Sequence, residues 1–139
     1  MQTTLADKWF SLFIRLRDTW DDGYCRCITC GRVGDPKTMD CGHYVKRQHQ
    51  AGRFDERNCH AQCKRCNAFE QGMDSVYRQK LVEMYGEQVV LLLESGKYNT
   101  VKRTKVQMQV LVQQYKYKAT ELSKLKKIKL ACQEYILDS

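Results

Sequence analysis

The chain has 139 residues, with 24 Lys and Arg against 16 Asp and Glu for a formal net charge of +8, and eight cysteines. That length accommodates one domain or one domain with an appendage, and a composition 42% hydrophobic and 29% charged excludes wholesale disorder. No apolar run approaches the roughly 18 residues of a membrane span, and Asp7, Lys8, Arg15 and Arg17 interrupt any signal-peptide core, so the expectation is a cytoplasmic protein without a membrane partner.

Four zones follow in chain order. Leu5, Trp9, Phe13, Leu16 and Trp20 form one stripe, widened by Phe10 and Ile14, and predict an amphipathic helix over about residues 3–20 covering a core, with Thr3 or Thr4 as its cap. Residues 22–75 hold seven of the eight cysteines and are punctuated by glycines, which predicts turns and short strands. Val76, Leu81, Val82 and Tyr85 predict a helix ending at Gly86, and Val89 to Leu93 a second ending near Gly96. Beyond Thr104, a candidate N-cap, Leu111, Tyr115, Leu122, Leu125, Cys132 and Ile136 predict one helix from about Lys105 to Leu137. At 1.5 Å per residue it would be roughly 50 Å long and overhang a domain of this size, so it bends back, projects, or packs on another subunit.

The charge is concentrated there. Residues 1–96 balance to +1, whereas residues 97–139 hold ten Lys and Arg against Glu121, Glu134 and Asp138, a balance of +7. A solvated face and a contact with nucleic acid both account for such a segment.

Cys27-Ile-Thr-Cys30 and Cys63-Lys-Arg-Cys66 are two C-x-x-C knuckles. Each turn of this kind presents two thiolates to one ion, and four soft ligands suit a structural Zn²⁺; disulfides are the alternative and need an oxidising compartment. Cys25 offers a substitute for Cys27 at a less usual spacing, while Cys41, Cys59 and Cys132 read as small buried residues.

Between the knuckles lies Asp40-Cys41-Gly42-His43-Tyr44, then Arg53-Phe54-Asp55-Glu56-Arg57-Asn58-Cys59-His60, with Asn67 directly after the second knuckle. The order of His43, Asn58, the Cys63–Cys66 knuckle and Asn67 resembles the HNH, or ββα-metal, nucleases. The match is closer to the phage lambda NinG (Rap) family of recombination endonucleases, whose signature the stretches Asp40–Tyr44 and Arg53–Asn67 resemble; Tyr77, Arg78 and Gly86 fall at similar family positions, and residues 66–70 are more loosely similar to endonuclease VII resolvases.

The resemblance implies an α+β fold: a zinc-stapled ββα-metal (treble-clef-like HNH) core with an N-terminal helix and a long C-terminal helix. Residues 1–100 would form the nuclease domain and 101–139 a basic helix for DNA contact, homodimerisation or both. It implies His43 as general base, Asn67 as ligand of a catalytic Mg²⁺ or Mn²⁺, and Asn58 as the brace of the intervening loop. Asp40 is a second candidate metal ligand. Many HNH nucleases carry an aspartate immediately before the base, where this chain has Gly42, and Asp40 lies three residues from His43, on the opposite face of a regular strand. His60 shares a face with Asn58 and is a candidate for the metal or the scissile phosphate; His49 reads as a surface residue. Lys46, Arg47, Arg53 and Arg57 are candidate phosphate contacts. The expected activity is hydrolysis of branched DNA, such as Holliday junctions, to a 5′-phosphate and a 3′-hydroxyl. A noncatalytic zinc-finger DNA-binding module and an HNH nuclease of ordinary duplex DNA are the alternatives.

Overall fold

Thr4 begins the first helix, α1 (Leu5–Arg17). Its hydroxyl accepts from the Asp7 N–H at 3.2 Å, and the Asp7 carboxylate accepts from the Thr4 N–H at 2.8 Å, closing a capping box. In the computed structural model, which describes residues 2–127, this helix is not a lid over a core but its centre. Trp9, Phe10, Leu12, Ile14 and Leu16 are at most 1% exposed, so the helix is enclosed over a wider arc than one stripe, with Lys8 left at the surface. Leu5 and Trp20, the ends of the predicted stripe, stay exposed: Leu5 is the first residue of the helix, and Trp20 lies beyond its end at Arg17.

The cysteine-rich zone folds as two hairpins. Strands β1 (Cys25–Arg26) and β2 (Val33–Gly34) pair antiparallel around the first knuckle, where Gly31 takes φ +77°, a conformation open to glycine. A 3₁₀ turn at Pro36–Thr38 leads into β3 (Met39–His43). The loop of residues 44–58 returns to β4 (Cys59–Cys63), and α2 (Lys64–Ala68) follows without a gap. In the β3–β4 ladder Asp40 opposes Gln62, Gly42 opposes His60 and His43 opposes Cys59. Directly opposed residues share a face, so Met39, Cys41, His43, Cys59, Ala61 and Cys63 leave one side of the hairpin, and Asp40, Gly42, His60 and Gln62 the other. On the first side Cys59 and Cys41 pack into the core built on α1. On the second, α3 (Glu70–Tyr85) lies across the strands, its Tyr77 hydroxyl donating to the Gly42 carbonyl at 2.6 Å. The fold is therefore mixed α+β, with small antiparallel sheets and several helices.

Gly86 (φ +92°) separates α3 from α4 (Glu87–Gly96), the break that its position predicts. Helix α5 (Lys105–Lys126) opens with a capping box between Thr104 and Gln107. It spans about 33 Å at 1.5 Å per residue and packs along α1, burying Tyr115 and Ala119 against Trp9 and Phe10. The two helices run parallel: Met108 and Val112 lie beside Leu5 and Ala6, while Lys126 Nζ donates to the carbonyls of Leu16 (2.7 Å) and Arg17 (3.0 Å) at the other end. That ammonium satisfies carbonyls that the C-terminus of α1 leaves open. The predicted helix to Leu137 is interrupted at Lys127, whose φ is +55°; Cys132 and the rest of that expectation lie outside the described residues. No helix among the described residues is long and apolar enough to cross a membrane.

Candidate functional site

Cys27, Cys30, Cys63 and Cys66 converge as their spacing predicts, with all four sulfurs within 4.8 Å of one another. Cys30 Sγ and Cys63 Sγ are 3.8 Å apart, the separation of about 3.8 Å that two thiolates at 2.3 Å from a tetrahedral Zn²⁺ would have and far from the roughly 2 Å of a disulfide. Backbone N–H groups of Arg32 and Cys66 point at Cys30 Sγ and Cys63 Sγ at 3.4 and 3.5 Å. Burial pushes the Cys27 thiol up, but the Cys30 N–H and the Thr29 hydroxyl outweigh it and bring the thiol down to about 6. Four thiols this close cannot all ionise without a cation among them, so the cluster can hold a structural metal such as zinc. Cys25 is not part of it; burial pushes that thiol up to about 11.

A cavity of about 500 Å³ opens beside the β3–β4 hairpin, lined by Lys8, Cys41, His43, Lys46, Arg47 and Asn67 among others. His43 stands at the end of β3, its Nε2 at 2.9 Å from the Arg53 carbonyl. A carbonyl only accepts, so Nε2 carries the proton and Nδ1 keeps the lone pair of the neutral ring. Burial holds the imidazole below its ordinary pKa of 6.5, partly offset by backbone groups of Arg53 and Cys41, so the ring is neutral at pH 7.

Asn58 is fully buried and ties the loop ends together. Its Oδ1 accepts from the Val45 N–H at 2.8 Å, and its Nδ2 donates to the carbonyls of Val45 (2.9 Å) and Gly52 (3.0 Å). A Cβ on Gly52 would come within 3.0 Å of that amide. The next residue is Arg53, whose carbonyl accepts from His43, so the loop that Asn58 ties together is the one that holds the imidazole.

Asp40 and Asn67 meet: Nδ2 of Asn67 donates to Asp40 Oδ2 at 3.0 Å, while Lys64 Nζ donates to Oδ1 at 2.7 Å. Asp40 leaves the hairpin face opposite His43, and Asn67 links the two by bonding Asp40 and lining the His43 cavity. Gly42 has a steric reason to lack a side chain, since a Cβ there would sit 2.2 Å from Gln62 Oε1 and 2.8 Å from Gln62 Cβ.

Two site expectations are corrected. Arg53 is not a surface contact: it is 5% exposed, with Nε on Asp7 Oδ1 at 2.9 Å and Nη2 on Asp7 Oδ2. Burial alone would raise the Asp7 carboxyl, but hydrogen bonds from Arg53 and Thr4 prevail and lower it. His60 is not a ligand facing the cavity: it is 2% exposed on the opposite face, with Nε2 at 2.8 Å from the Tyr85 hydroxyl and Nδ1 at 3.4 Å from that of Tyr77. Because Tyr77 donates to Gly42, His60 Nδ1–H donates to Tyr77 and Tyr85 donates to Nε2, a chain that satisfies a neutral ring. Burial depresses His60 to about 4. Arg57 is exposed and pairs with Asp55 at 3.2 Å, Lys46 reaches Asp74 at 3.4 Å and Arg47 donates to Thr3 at 3.0 Å. His49 lines a separate cavity with Tyr44 and Glu94. Asp7 and Lys8 also line the cavity, a placement no local motif announces because it depends on α1 packing beside the hairpin.

The sequence profile of the family described as Bacteriophage Lambda NinG protein matches residues 2–126. Among individual relatives, Protein ninG of Escherichia phage 933W is 33% identical over 120 residues, covering 84% of this chain and 56% of that protein. Protein ninG of Escherichia phage lambda is 32% identical over 120 residues (84% and 55%), and that of Salmonella phage P22 is 39% identical over 93 residues (65% and 42%). The chain thus spans about half the length of the relatives it matches. No solved structure matches it. With a profile match over nearly every described residue, the chain belongs to the NinG family of bacteriophage proteins.

Proposed function

We propose that the chain is a metal-dependent, structure-selective DNA endonuclease of the HNH type that acts in phage recombination. The observation that carries this reading is the cavity in which a neutral His43 stands among Lys8, Lys46, Arg47 and Asn67. The order strand β3, strand β4, helix α2, with a cysteine knuckle at the strand-to-helix turn, supports a zinc-stapled ββα-metal core. Phosphodiester hydrolysis needs a base for water, and an imidazole neutral at pH 7 can take that proton on Nδ1 while Nε2–H stays on the Arg53 carbonyl. Three cations at the cavity suit a phosphate backbone. Asp40 and Asn67, with its amide turned, offer two adjacent oxygens to a Mg²⁺ or Mn²⁺ ion, which would stabilise charge on the phosphate and the leaving oxygen. The products would be a 5′-phosphate and a 3′-hydroxyl. Paired cuts across a four-way junction would suit a homodimer, and the exposed Val106, Val110 and Tyr117 of α5 offer it a surface.

A noncatalytic zinc module that binds DNA is the second reading, favoured by Gly42 and by the ion pair of Asp40 with Lys64. Incubation with Mg²⁺ or Mn²⁺ and a four-way junction, a fork or linear duplex separates them. Cutting confined to branched substrates, abolished in His43→Ala with zinc content and secondary structure intact, is the expected result. Equal cutting of every substrate indicates a general duplex nuclease, and binding without cutting indicates the module.

A further inference from the structure

Cys41, His43 and Cys59 form a second group of soft donors, apart from the knuckle cysteines: one ligand atom from each lies within 4.8 Å of the other two. The hairpin brings them together. Cys41 and His43 are two residues apart on β3, and Cys59 opposes His43 across the ladder, so all three leave one face of the sheet. Around a tetrahedral ion, sulfurs at about 2.3 Å and an imidazole nitrogen at about 2.0 Å stand about 3.5–3.8 Å from one another. A contraction of about 1 Å from the 4.8 Å bound is what a side-chain adjustment at the half-buried Cys41 would have to supply. A disulfide fits less well, because Cys41 and Cys59 are diagonal partners; such Cα atoms lie about 7–8 Å apart, beyond the usual disulfide span. An ion has a route in, since Cys41 and His43 line the cavity of about 500 Å³. The imidazole is also anchored as metal-bound rings usually are, with Nε2–H on a backbone carbonyl.

We propose that Cys41, Cys59 and Nδ1 of His43 bind a second, soft metal ion of the Zn²⁺ class, weaker than the knuckle site, and that its binding withdraws His43 from water activation. Two thiolates neutralise the divalent charge, and their protons pass to water on binding. The silencing rests on the proposed nuclease; the site itself does not.

The test dialyses the full chain against graded free Zn²⁺ held by a chelator buffer and counts zinc per chain by atomic emission. Two ions are expected at high free zinc and one at low, with Cys41→Ala and the volume-preserving Cys59→Val each holding one throughout. Co²⁺ added to the chain with one zinc should give thiolate-to-cobalt absorption that Cys41→Ala lacks. Saturation of the native chain at one ion, or a second ion that persists in both variants, overturns the site. Where Mg²⁺ supports cleavage, the second zinc should suppress it about a hundredfold, the worth of a general base, and Cys41→Ala should lose that sensitivity. Cleavage unaffected by the second ion overturns the silencing alone, and a chain that never cuts still decides the site by its ion count.

Discussion

Replacing Arg53 by Met keeps the apolar stem and removes one half of an ion pair whose two members are 5% and 6% exposed. The Asp7 carboxylate is then stranded without a countercharge, a situation that costs about 3–5 kcal/mol when a buried pair loses one partner. Asp7 keeps its bonds from the Thr4 N–H and hydroxyl, both at 2.8 Å, so the loss should fall near the lower end, about 3 kcal/mol. For a chain of this size roughly 4 °C accompanies each kcal/mol, which puts Arg53→Met about 12 °C below the parent. Thermal melts at one fixed free zinc concentration measure it, because bound metal itself shifts the midpoint. Adding Asp7→Leu removes the stranded charge and should restore part of the loss. An arginine that gripped DNA would behave in the opposite way. An unchanged melting temperature, with weaker DNA binding and a shallower salt dependence, would refute the reasoning.

Three further outcomes are expected. Stripping the knuckle metal with a strong chelator, or replacing Cys63 by Ser, should abolish cooperative unfolding of the hairpins, seen as loss of near-ultraviolet circular dichroism. His60 has a folded pKa of about 4 against 6.5 when unfolded; the unfolded chain takes up the proton first, so this share of stability is complete above pH 6.5 and fades as pH falls towards 4. It amounts to something on the order of 3 kcal/mol, and urea midpoints of the parent against His60→Gln at pH 7 and pH 5 measure it, an identical pH slope in both chains counting against the neutral buried ring. Tyr115→Ala should cost about 3 kcal/mol, because the ring is 3% exposed against Phe10 and its hydroxyl donates to Glu56 at 2.9 Å; a urea titration that finds under 1 kcal/mol would contradict the docking of α5 on α1.

Local features were legible and long-range ones were not. The two cysteine knuckles, the caps at Thr4 and Thr104 and the break at Gly86 each depend on a few neighbouring residues, and short-range spacing carries that information. Strand parity also placed Asp40 on the face opposite His43. Arg53 sits among Lys46, Arg47 and Arg57, and nothing local distinguishes it; its partner Asp7 is 46 positions away. His60 lies on the hairpin face away from His43, and the tyrosines of α3 that enclose it arrive from 17 and 25 residues later, so nothing near it in the chain marks it as buried. The breadth of apolar residues on α1 was present in the sequence as Phe10, Leu12 and Ile14, yet only the docking of α5 explains why one stripe is not enough.

The parallel pairing of α1 and α5 sets an order for synthesis. The lysine that closes the far end of α1 is 110 positions from Leu16, and the whole metal-bearing unit lies between. At about 5–20 residues per second, the Trp9–Leu16 surface waits roughly 5–20 s on the ribosome before α5 exists. Throughout that wait the most deeply buried helix has the β3–β4 hairpin to lie against, so a metal held early by the cysteine cluster would set the hairpin and shelter the nascent chain from aggregation.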